Sequence, residues 1–465
     1  MSAIPARFRP SHLVVALFSL AALAVLLSAG PGFPPEAAAG AALALVAIGF
    51  WASGAIPEHL TAIIFFLVAM VFAIAPAPVV FSGFASSAFW LLFGGMIVGT
   101  AVQKTGLGAR LARTMARRIG VSYTGVLAGI MTVEVALAFV MPSSVGRVVL
   151  MMPVALSLAD AFGFEAGTRG RTGIAMMAGL GAFLPGFGVL PANVPNLVLI
   201  GAADTLYGIK PVYGDYLLLH FPVLGILKAI VAVTMIRLLF PDTARPLPDD
   251  DAAEKPWTLP EKRLAVILVG ALLLWATDFL HGVSPAWVAL GAGIACMLPP
   301  FRLIEAEKMT EAVQFRPLIY VAGVLALGAI VAQTGAAAHM ADLFLSVANL
   351  SPGAHAHNFA AIVAASIGVG VLGTVPSVPA VLTPLAQDLA AATGLPLATI
   401  LMMQVPAYST VLFPFQGPPM IVAMQLGSVS MRDGMRATLG VAIVTILVLL
   451  PLDFLWWDLL GRFDG

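Results

Sequence analysis

The chain has 465 residues, 60% of them hydrophobic and 10% charged, with a mean hydropathy of +1.01. Soluble domains carry about 25% charged residues, so this composition excludes a soluble globular protein, and 23 basic against 23 acidic residues leave no net charge to draw the chain to nucleic acid. A lone cysteine, Cys296 in an apolar run, excludes a disulfide framework or cysteine metal site within one chain.

In chain order, apolar runs of about 20 residues, each able to cross a hydrocarbon core, predict eleven spans near 11–30, 36–55, 59–76, 86–105, 172–203, 215–238, 264–281, 285–300, 314–335, 394–425 and 435–460. The first, which follows Arg7 and Arg9, is read as a span and not a signal peptide. Its apolar stretch Leu13–Ala29 is long and no small-x-small cleavage site follows. Two further segments, 122–160 and 357–391, read as re-entrant helical hairpins, because Pro, Ser and Gly sit where a continuous span needs helix formers. Irregular backbone at membrane depth persists only where protein or a wet cavity covers it. The polar, proline-rich stretch Pro241–Glu261 reads as a cytoplasmic linker, and its Asp249, Asp250 and Asp251 as solvated charges. His355 and His357 read as part of an exposed loop leading into the second hairpin.

The chain repeats itself. Ala101–Ala112 (AVQKTGLGARLA) returns as Ile330–Ala341 (IVAQTGAAAHMA). Each copy is followed by an apolar segment broken at a polar tip, Pro142-Ser143-Ser144-Val145-Gly146 and Gly373-Thr374-Val375-Pro376-Ser377, and then by a second broken helix, at Asn193-Val194-Pro195-Asn196 and Gln416-Gly417-Pro418-Pro419. The offsets are 229 for the Thr-Gly pair, 231 for Pro153 and Pro384, and 224 for Pro195 and Pro419. Paired interrupted helices at matching places in two halves point to a transporter site. The expected organisation is N-terminal spans over 1–58, a first repeat over 59–240, a linker over 241–262 and a second repeat over 263–465.

Basic residues set the orientation. With the N-terminus cytoplasmic and the C-terminus outside, nineteen of the twenty-three Lys and Arg fall inside, among them Arg110, Arg113, Arg117, Arg118, Arg245 and Lys255, while Lys210 and Arg462 lie outside. Arg147 and Lys228 remain at membrane depth. The first hairpin then enters from the cytoplasm and the second from outside, which makes the repeats inverted, the basis of alternating access. The fold class is an all-α polytopic membrane protein of about eleven spans and two re-entrant hairpins.

Hairpin tips and helix breaks aim free N–H groups and helix N-termini at one point, and such groups attract anions. Ser143, Ser144, Thr374 and Ser377 add hydroxyls there, and Asn193, Asn196 and Gln416 add amides. Pro195, Gly417 and Pro418 belong to the same breaks. Arg147 follows the first tip at membrane depth, where an ionisable residue reads as functional. Its roles stay open between substrate binding or charge compensation and an ion pair with Glu134, about 10 Å toward the cytoplasm by helix rise. A neutral substitution at Arg147 is expected to cut anion flux without unfolding. Glu134 is a candidate proton carrier. Lys228 reads as structural, its stem snorkelling to the interface. Gln333, Gln404 and Tyr408 read as cavity-lining or interhelical polar groups. No H-E-x-x-H, G-x-S-x-G or P-loop occurs, so no enzyme is expected.

The Leu92–Leu111 region (LFGGMIVGTAVQKTGLGARL), both hairpins, the Asn193–Asn196 and Gln416–Pro419 loops and the C-terminal helix resemble the divalent anion/sodium symporter family, carriers of dicarboxylates, citrate or sulfate. The resemblance implies a homodimer with a scaffold domain and a transport domain that moves as an elevator. It also implies a substrate site made of both tips and both broken helices. The family's sodium signature is Ser-Asn-Thr at each tip, ten residues before the proline that is Pro153 or Pro384 here. This chain has Ser143-Ser144-Val145 and Thr374-Val375-Pro376 instead, with Arg147 where the family has a small residue. The expectation is a secondary transporter of a small dianion in the cytoplasmic membrane, running as a sodium-independent exchanger or coupled to protons. The alternatives are a relaxed sodium site at Ser143 and Thr374, a cation/proton antiporter-like permease, or a non-transporting sensor. Beyond Na+ or H+ as coupling ion, no cofactor is expected. The partners expected are the anion, the bilayer and a second copy.

Overall fold

A computed structural model describes residues 10–30, 32–107, 110, 122–141, 143–243, 256–372 and 374–463. Tip residues Pro142 and Gly373, Arg7 and Arg9, the cluster Arg113, Arg117 and Arg118, and most of the linker, with Arg245, Asp249–Asp251 and Lys255, lie outside the described residues.

Among the described residues the chain is helical, with no strand beyond an isolated bridge between Gly30 and Phe33. Helices α1 (Pro10–Leu27), α2 (Pro35–Ser53) and α3 (Glu58–Val71) lead to α4 (Ser87–Thr105). Then come α5 (Tyr123–Ala138), α6 (Ser144–Ala161), α7 (Arg169–Phe183), α8 (Val194–Tyr207) and α9 (Tyr213–Leu239). After the linker, α10 (Leu259–Ala276) and α11 (Pro285–Met297) precede α12 (Phe315–Gln333) and α13 (Ala336–Ala348). The chain ends with α14 (His355–Leu372), α15 (Ser377–Leu382), α16 (Ala386–Thr393), α17 (Leu397–Tyr408), α18 (Pro418–Leu426) and α19 (Met431–Leu459).

The element order recurs between halves. The 19-residue helices α4 and α12 end in the repeated Thr-Gly, and the repeat has a local cause. The Thr105 and Thr334 hydroxyls each donate 2.8 Å back to the carbonyl four residues earlier, and Gly106 and Gly335 take φ of 78° and 77°. Glycine reaches this left-handed conformation freely and stops a helix there. The conserved spacing of that pair therefore marks a helix stop and not a site. The last helices of the halves match too: α9 widens into a π-helix over Phe221–Leu227 and α19 over Thr445–Leu449.

Among the described residues three helices are long and apolar enough to cross a membrane as single elements, namely α9, α12 and α19, with α16 and α17 as a pair bent by 120°. Among the other expected spans, α3 and α11 are apolar helices of 14 and 13 residues, and 172–203 is divided between α7 and α8. Hydropathy overcounts uniform spans because it ignores helix breaks. The second half of each broken span restarts with proline in its first turn, Pro195 in α8 and Pro418 and Pro419 in α18. Proline is tolerated there because the first N–H groups of a helix lack an internal partner anyway. The breaks lie upstream, over 184–193 and 409–417, each holding one 3-10 turn, Pro185–Gly188 and Pro414–Gln416. The prolines thus mark where each helix resumes and not where it stops. His355 and His357 are also misplaced by the loop reading, since both begin α14, His355 stacked on Phe463.

Close helix packing rests on small residues, as expected where lipid gives no hydrophobic drive to association. A Cβ on Gly94 of α4 would lie 2.5 Å from the Ala289 backbone of α11, and one on Gly83 would lie 2.1 Å from the Ala322 carbonyl of α12.

Candidate functional site

Both tips and both restarted helices meet around one cavity of about 320 Å3. Ser143 and Ser144 line it from the first tip, Thr374 from the second, Pro195 from α8, and Gly417 and Pro418 from the start of α18. The first tip is built by capping: Ser143 Oγ accepts the Gly146 N–H at 3.1 Å and starts α6. The N-termini of α6, α8 and α18 therefore border one space, and helix N-termini favour negative charge. Among the described residues the lining holds no Lys, Arg or His, and its one carboxylate is Glu58.

The remaining predicted residues stand behind this lining. Arg147 is fully buried and all five of its N–H donors are engaged. Nε and Nη2 donate to the Ala182 carbonyl at 3.1 and 2.6 Å, Nη2 also to Asn193 Oδ1 at 3.1 Å, and Nη1 to the Ala192 carbonyl at 3.1 Å and to that of Met141. The need for this is local. A helix leaves its last carbonyls without internal partners, and α7 ends in protein interior at Phe183. Arg147 meets Ala182 there, while Asn193 Nδ2 meets the Phe183 carbonyl at 2.9 Å. Gly186 makes the fit possible, since a Cβ on it would lie 2.7 Å from Arg147 Nη2.

This corrects two expectations. Arg147 forms no ion pair with Glu134, whose carboxylate oxygens are buried without a hydrogen-bond partner among the described residues. The guanidinium also does not line the cavity but is held behind the tip. Asn196 turns inward likewise, donating to the carbonyls of Gly186 at 3.0 Å and Val189 at 2.9 Å. It accepts from Tyr408 Oη at 3.1 Å, tying the first break to the second half. Gln416 joins the second break to its hairpin: Nε2 donates to the Gly370 carbonyl at 2.8 Å, and the Val375 N–H donates to the Gln416 carbonyl at 2.9 Å. Ser377 Oγ accepts the Thr374 N–H at 2.9 Å and is spent on the turn. Thr374 Oγ1 is buried and borders the cavity beside the Tyr320 phenol.

Lys228 does not snorkel. It is 1% exposed, and Nζ donates to the Ser409 carbonyl at 2.6 Å and to Ser409 Oγ at 3.0 Å. Ser409 caps the end of α17, so each broken helix has a buried cation on its carbonyl end. Asp453, fully buried in α19, acts electrostatically on Lys228 without ion-pair contact. Sequence reasoning missed Asp453, although the signal that exposed Arg147, an ionisable residue inside an apolar span, was present in Leu447–Trp456. It also missed Glu58, Gln103 and Tyr320 in the cavity wall, for which no spacing pattern exists.

An apolar helical chain whose interrupted helices and helix–tip–helix units converge on one cavity with a few polar groups has the build of a membrane transporter. The comparisons narrow the class: the chain belongs to the family described as "Sodium:sulfate symporter transmembrane region", whose sequence model it matches over residues 10–463. It is 27% identical over 263 residues to a protein named "Membrane protein" from Cupriavidus necator, covering 55% of this chain and 51% of that one. It is 25% identical over 250 residues to the L-tartrate/succinate antiporter of Escherichia coli K12, covering 50% of this chain and 49% of that one. The chain thus spans about half the length of the curated relatives it matches. Its fold is similar to the crystal structure of the YdaH transporter of Alcanivorax borkumensis, with a TM-score of 0.51 and 14% identity over 98% of this chain and 100% of that one.

Proposed function

We propose that the chain is a secondary active carrier that exchanges small dianions, dicarboxylate or sulfate-like, by elevator-type alternating access and without sodium. The observation that carries this reading is the seat of Arg147. Carbonyl oxygens of a hairpin tip and a broken helix are the groups that coordinate Na+ in carriers of this build, and here a fixed guanidinium engages them. A tethered cation stays with the carrier. It neutralises part of the bound dianion's charge in each orientation and leaves nothing to drive net uptake, which suits exchange. The relative named as a tartrate/succinate antiporter supports the same direction.

In this reading the repeats are inverted, the hairpins re-entrant and the carrier a homodimer in the cytoplasmic membrane, with its N-terminus inside. The cavity wall then includes the cytoplasmic ends of α3, α4 and α12, at Glu58, Gln103 and Gln314, which corresponds to an inward-facing state.

The test is uptake of labelled succinate and sulfate into proteoliposomes under an inward sodium gradient, an inward proton gradient, or with unlabelled anion preloaded. Uptake driven by preloaded anion alone is expected. Proton-driven uptake would transfer the coupling role to Glu134, and a sodium requirement would overturn the reading.

A further inference from the structure

Away from the anion cavity, the protein buries a second set of charges that the exchange reading does not use. Lys228 on α9 and Asp453 on α19 are 1% and 0% exposed. Each acts on the other through the interior, but the two make no close ion pair. Taking two charges out of water is costly, and only close contact returns that cost, so such a pair at membrane depth reads as functional. Two further observations bear on its role. Each helix widens into a π-turn beside its charge, at Phe221–Leu227 directly before Lys228 and at Thr445–Leu449 just before Asp453, and the two π-turns pack against each other. Such turns are frequent at functional positions. A cavity of about 10 Å3 also adjoins Lys228, lined by Ser409 at the end of α17, Thr438 and Thr445 of α19, and Leu180 and Phe183 of α7. It has room for about one water molecule, the molecule that carries a proton to or from Nζ. Among the described residues its lining holds no second ionisable group. The other groups facing the pair are few. Trp457 lies beside Asp453, its ring 5.6 Å from that of His220, which is fully buried on α9 and 4.5 Å from the Tyr216 ring. Arg462, which pairs with Asp215 at 3.9 Å, acts on His220 from beyond α19.

We propose that Lys228, with Asp453 as its counter-charge, is a proton-binding site that gates the second break. Protonated, Nζ clamps the end of α17, donating to the Ser409 carbonyl at 2.6 Å and to its hydroxyl at 3.0 Å. When the proton leaves Nζ for water the clamp loses its charge, and hydrogen bonds from an ionised donor are roughly twice as strong as neutral ones. Only a proton changes hands, so no other reactant is needed. The residue type fits this role. The first break is held by an arginine, which keeps its proton, and the second by a lysine, which is able to give its proton up when buried. Asp453 sets the pH of the change, since a nearby carboxylate favours the charged ammonium. Ser409 opens the break whose far end, Gly417 and Pro418, lines the anion cavity. The proton state of Lys228 thus reaches the site without a group that touches the anion. The inference takes its transport readout from the exchange reading above and adds regulation to it.

The experiment has two arms, each scanned from about pH 6 to 9, where a buried lysine is able to titrate. The first is tryptophan fluorescence in detergent, which needs no transport. A transition is expected in the wild-type protein, lost in Trp457→Phe, which identifies its source, and lost in Lys228→Arg, whose guanidinium keeps its proton. The second is counterflow of labelled sulfate and succinate in proteoliposomes with the same pH on both sides. Sulfate stays a dianion throughout, so a profile shared by both anions does not come from the substrate. The wild-type rate is expected to rise with pH by roughly tenfold, the factor that separates a charge-assisted hydrogen bond from a neutral one, and Lys228→Arg is expected to stay at the low level. Asp453→Asn, close in shape, serves where Lys228→Arg does not fold, and its rise is expected to begin at lower pH. A fluorescence transition that persists in Lys228→Arg, a flat wild-type profile, or a profile abolished by Glu134→Gln and kept in Lys228→Arg would overturn this inference alone. Absence of counterflow at every pH with the Lys228-dependent fluorescence transition intact would defeat the exchange reading and leave the proton site standing.

Discussion

Replacing Arg147 by serine tests whether the guanidinium does the work of a bound cation. The substitution removes five hydrogen bonds and strands four buried acceptors: the carbonyls of Met141, Ala182 and Ala192 and the Asn193 side-chain oxygen. An unsatisfied buried acceptor costs about 1–3 kcal/mol. With partial relaxation the loss is roughly 3–5 kcal/mol, the range for removing one partner of a buried charged network, against a total stability on the order of 5–15 kcal/mol. The earlier expectation that a neutral residue would leave the fold untouched does not survive this geometry. The same four oxygens converge on one guanidinium and are freed together, leaving acceptors that a monovalent cation can satisfy. Arg147→Ser is therefore expected to have a depressed thermal midpoint in choline chloride that sodium chloride raises, and an exchange rate that becomes sodium-dependent. Thermal unfolding in detergent and counterflow in the two salts measure both. Arg147→Lys keeps the charge but not the planar fork, and is expected to lie between the two without any sodium effect. If Arg147→Ser kept the wild-type midpoint and transported equally in both salts, the idea of a resident cation would be refuted.

Lys228→Met is expected to destabilise by roughly 3–5 kcal/mol, since it leaves Ser409 and Asp453 without their cation; adding Asp453→Leu should restore part of that loss, and strict additivity in the double-mutant cycle would show that the two do not couple. Glu261, outside the membrane-spanning part of α10, is held down to a pKa of about 2 by hydrogen bonds from Arg110, and from the Thr258 backbone and hydroxyl. A depressed carboxylate contributes stability that is present above its unfolded pKa near 4.5 and is lost as pH falls toward 2. Glu261→Gln should therefore lower the thermal midpoint at pH 6 by the equivalent of about 1–2 kcal/mol, discounted for a position near the surface, and the difference should narrow below pH 4.5 and close only as pH approaches 2. Gly94→Ala places a Cβ 2.5 Å from the Ala289 backbone, whereas Gly99→Ala meets nothing within 4 Å; the first should cost roughly 1–3 kcal/mol by overpacking and the second should be neutral or stabilising in the same melts.

The recurring helix stop, tip and restart were legible because their signals are local. A Thr-Gly helix stop, a polar tip and a proline restart each have a physical reason to recur, and their offsets differ by only a few residues. What the sequence could not supply was direction. Asn193, Asn196, Gln416 and Ser377 look like an anion cradle on paper, yet each turns its polar atoms into the backbone that the breaks leave unpaired. A broken helix creates unsatisfied carbonyls as surely as it creates free N–H groups, and counting only the N–H groups assigned every nearby amide to the ligand. Glu58 escaped for the opposite reason. It lies at the edge of an apolar run, where a carboxylate is ordinary, and only the tertiary fold brings it beside the tips.

The two halves solve one problem with different chemistry, and that asymmetry matters more than the symmetry. Each broken helix ends in carbonyls inside the protein. In the first half an arginine from the hairpin itself closes the joint, so tip and break are held by a charge that cannot leave. In the second half the neutral Gln416 amide holds tip to break, while the cation arrives from α9, in the other repeat, onto Ser409. Three donors on a point charge can let go one at a time, whereas a planar fork with five engaged donors releases only as a unit. The first joint thus rests on five donors of one fixed guanidinium, whereas the second divides its contacts between a neutral amide and a lysine from another helix.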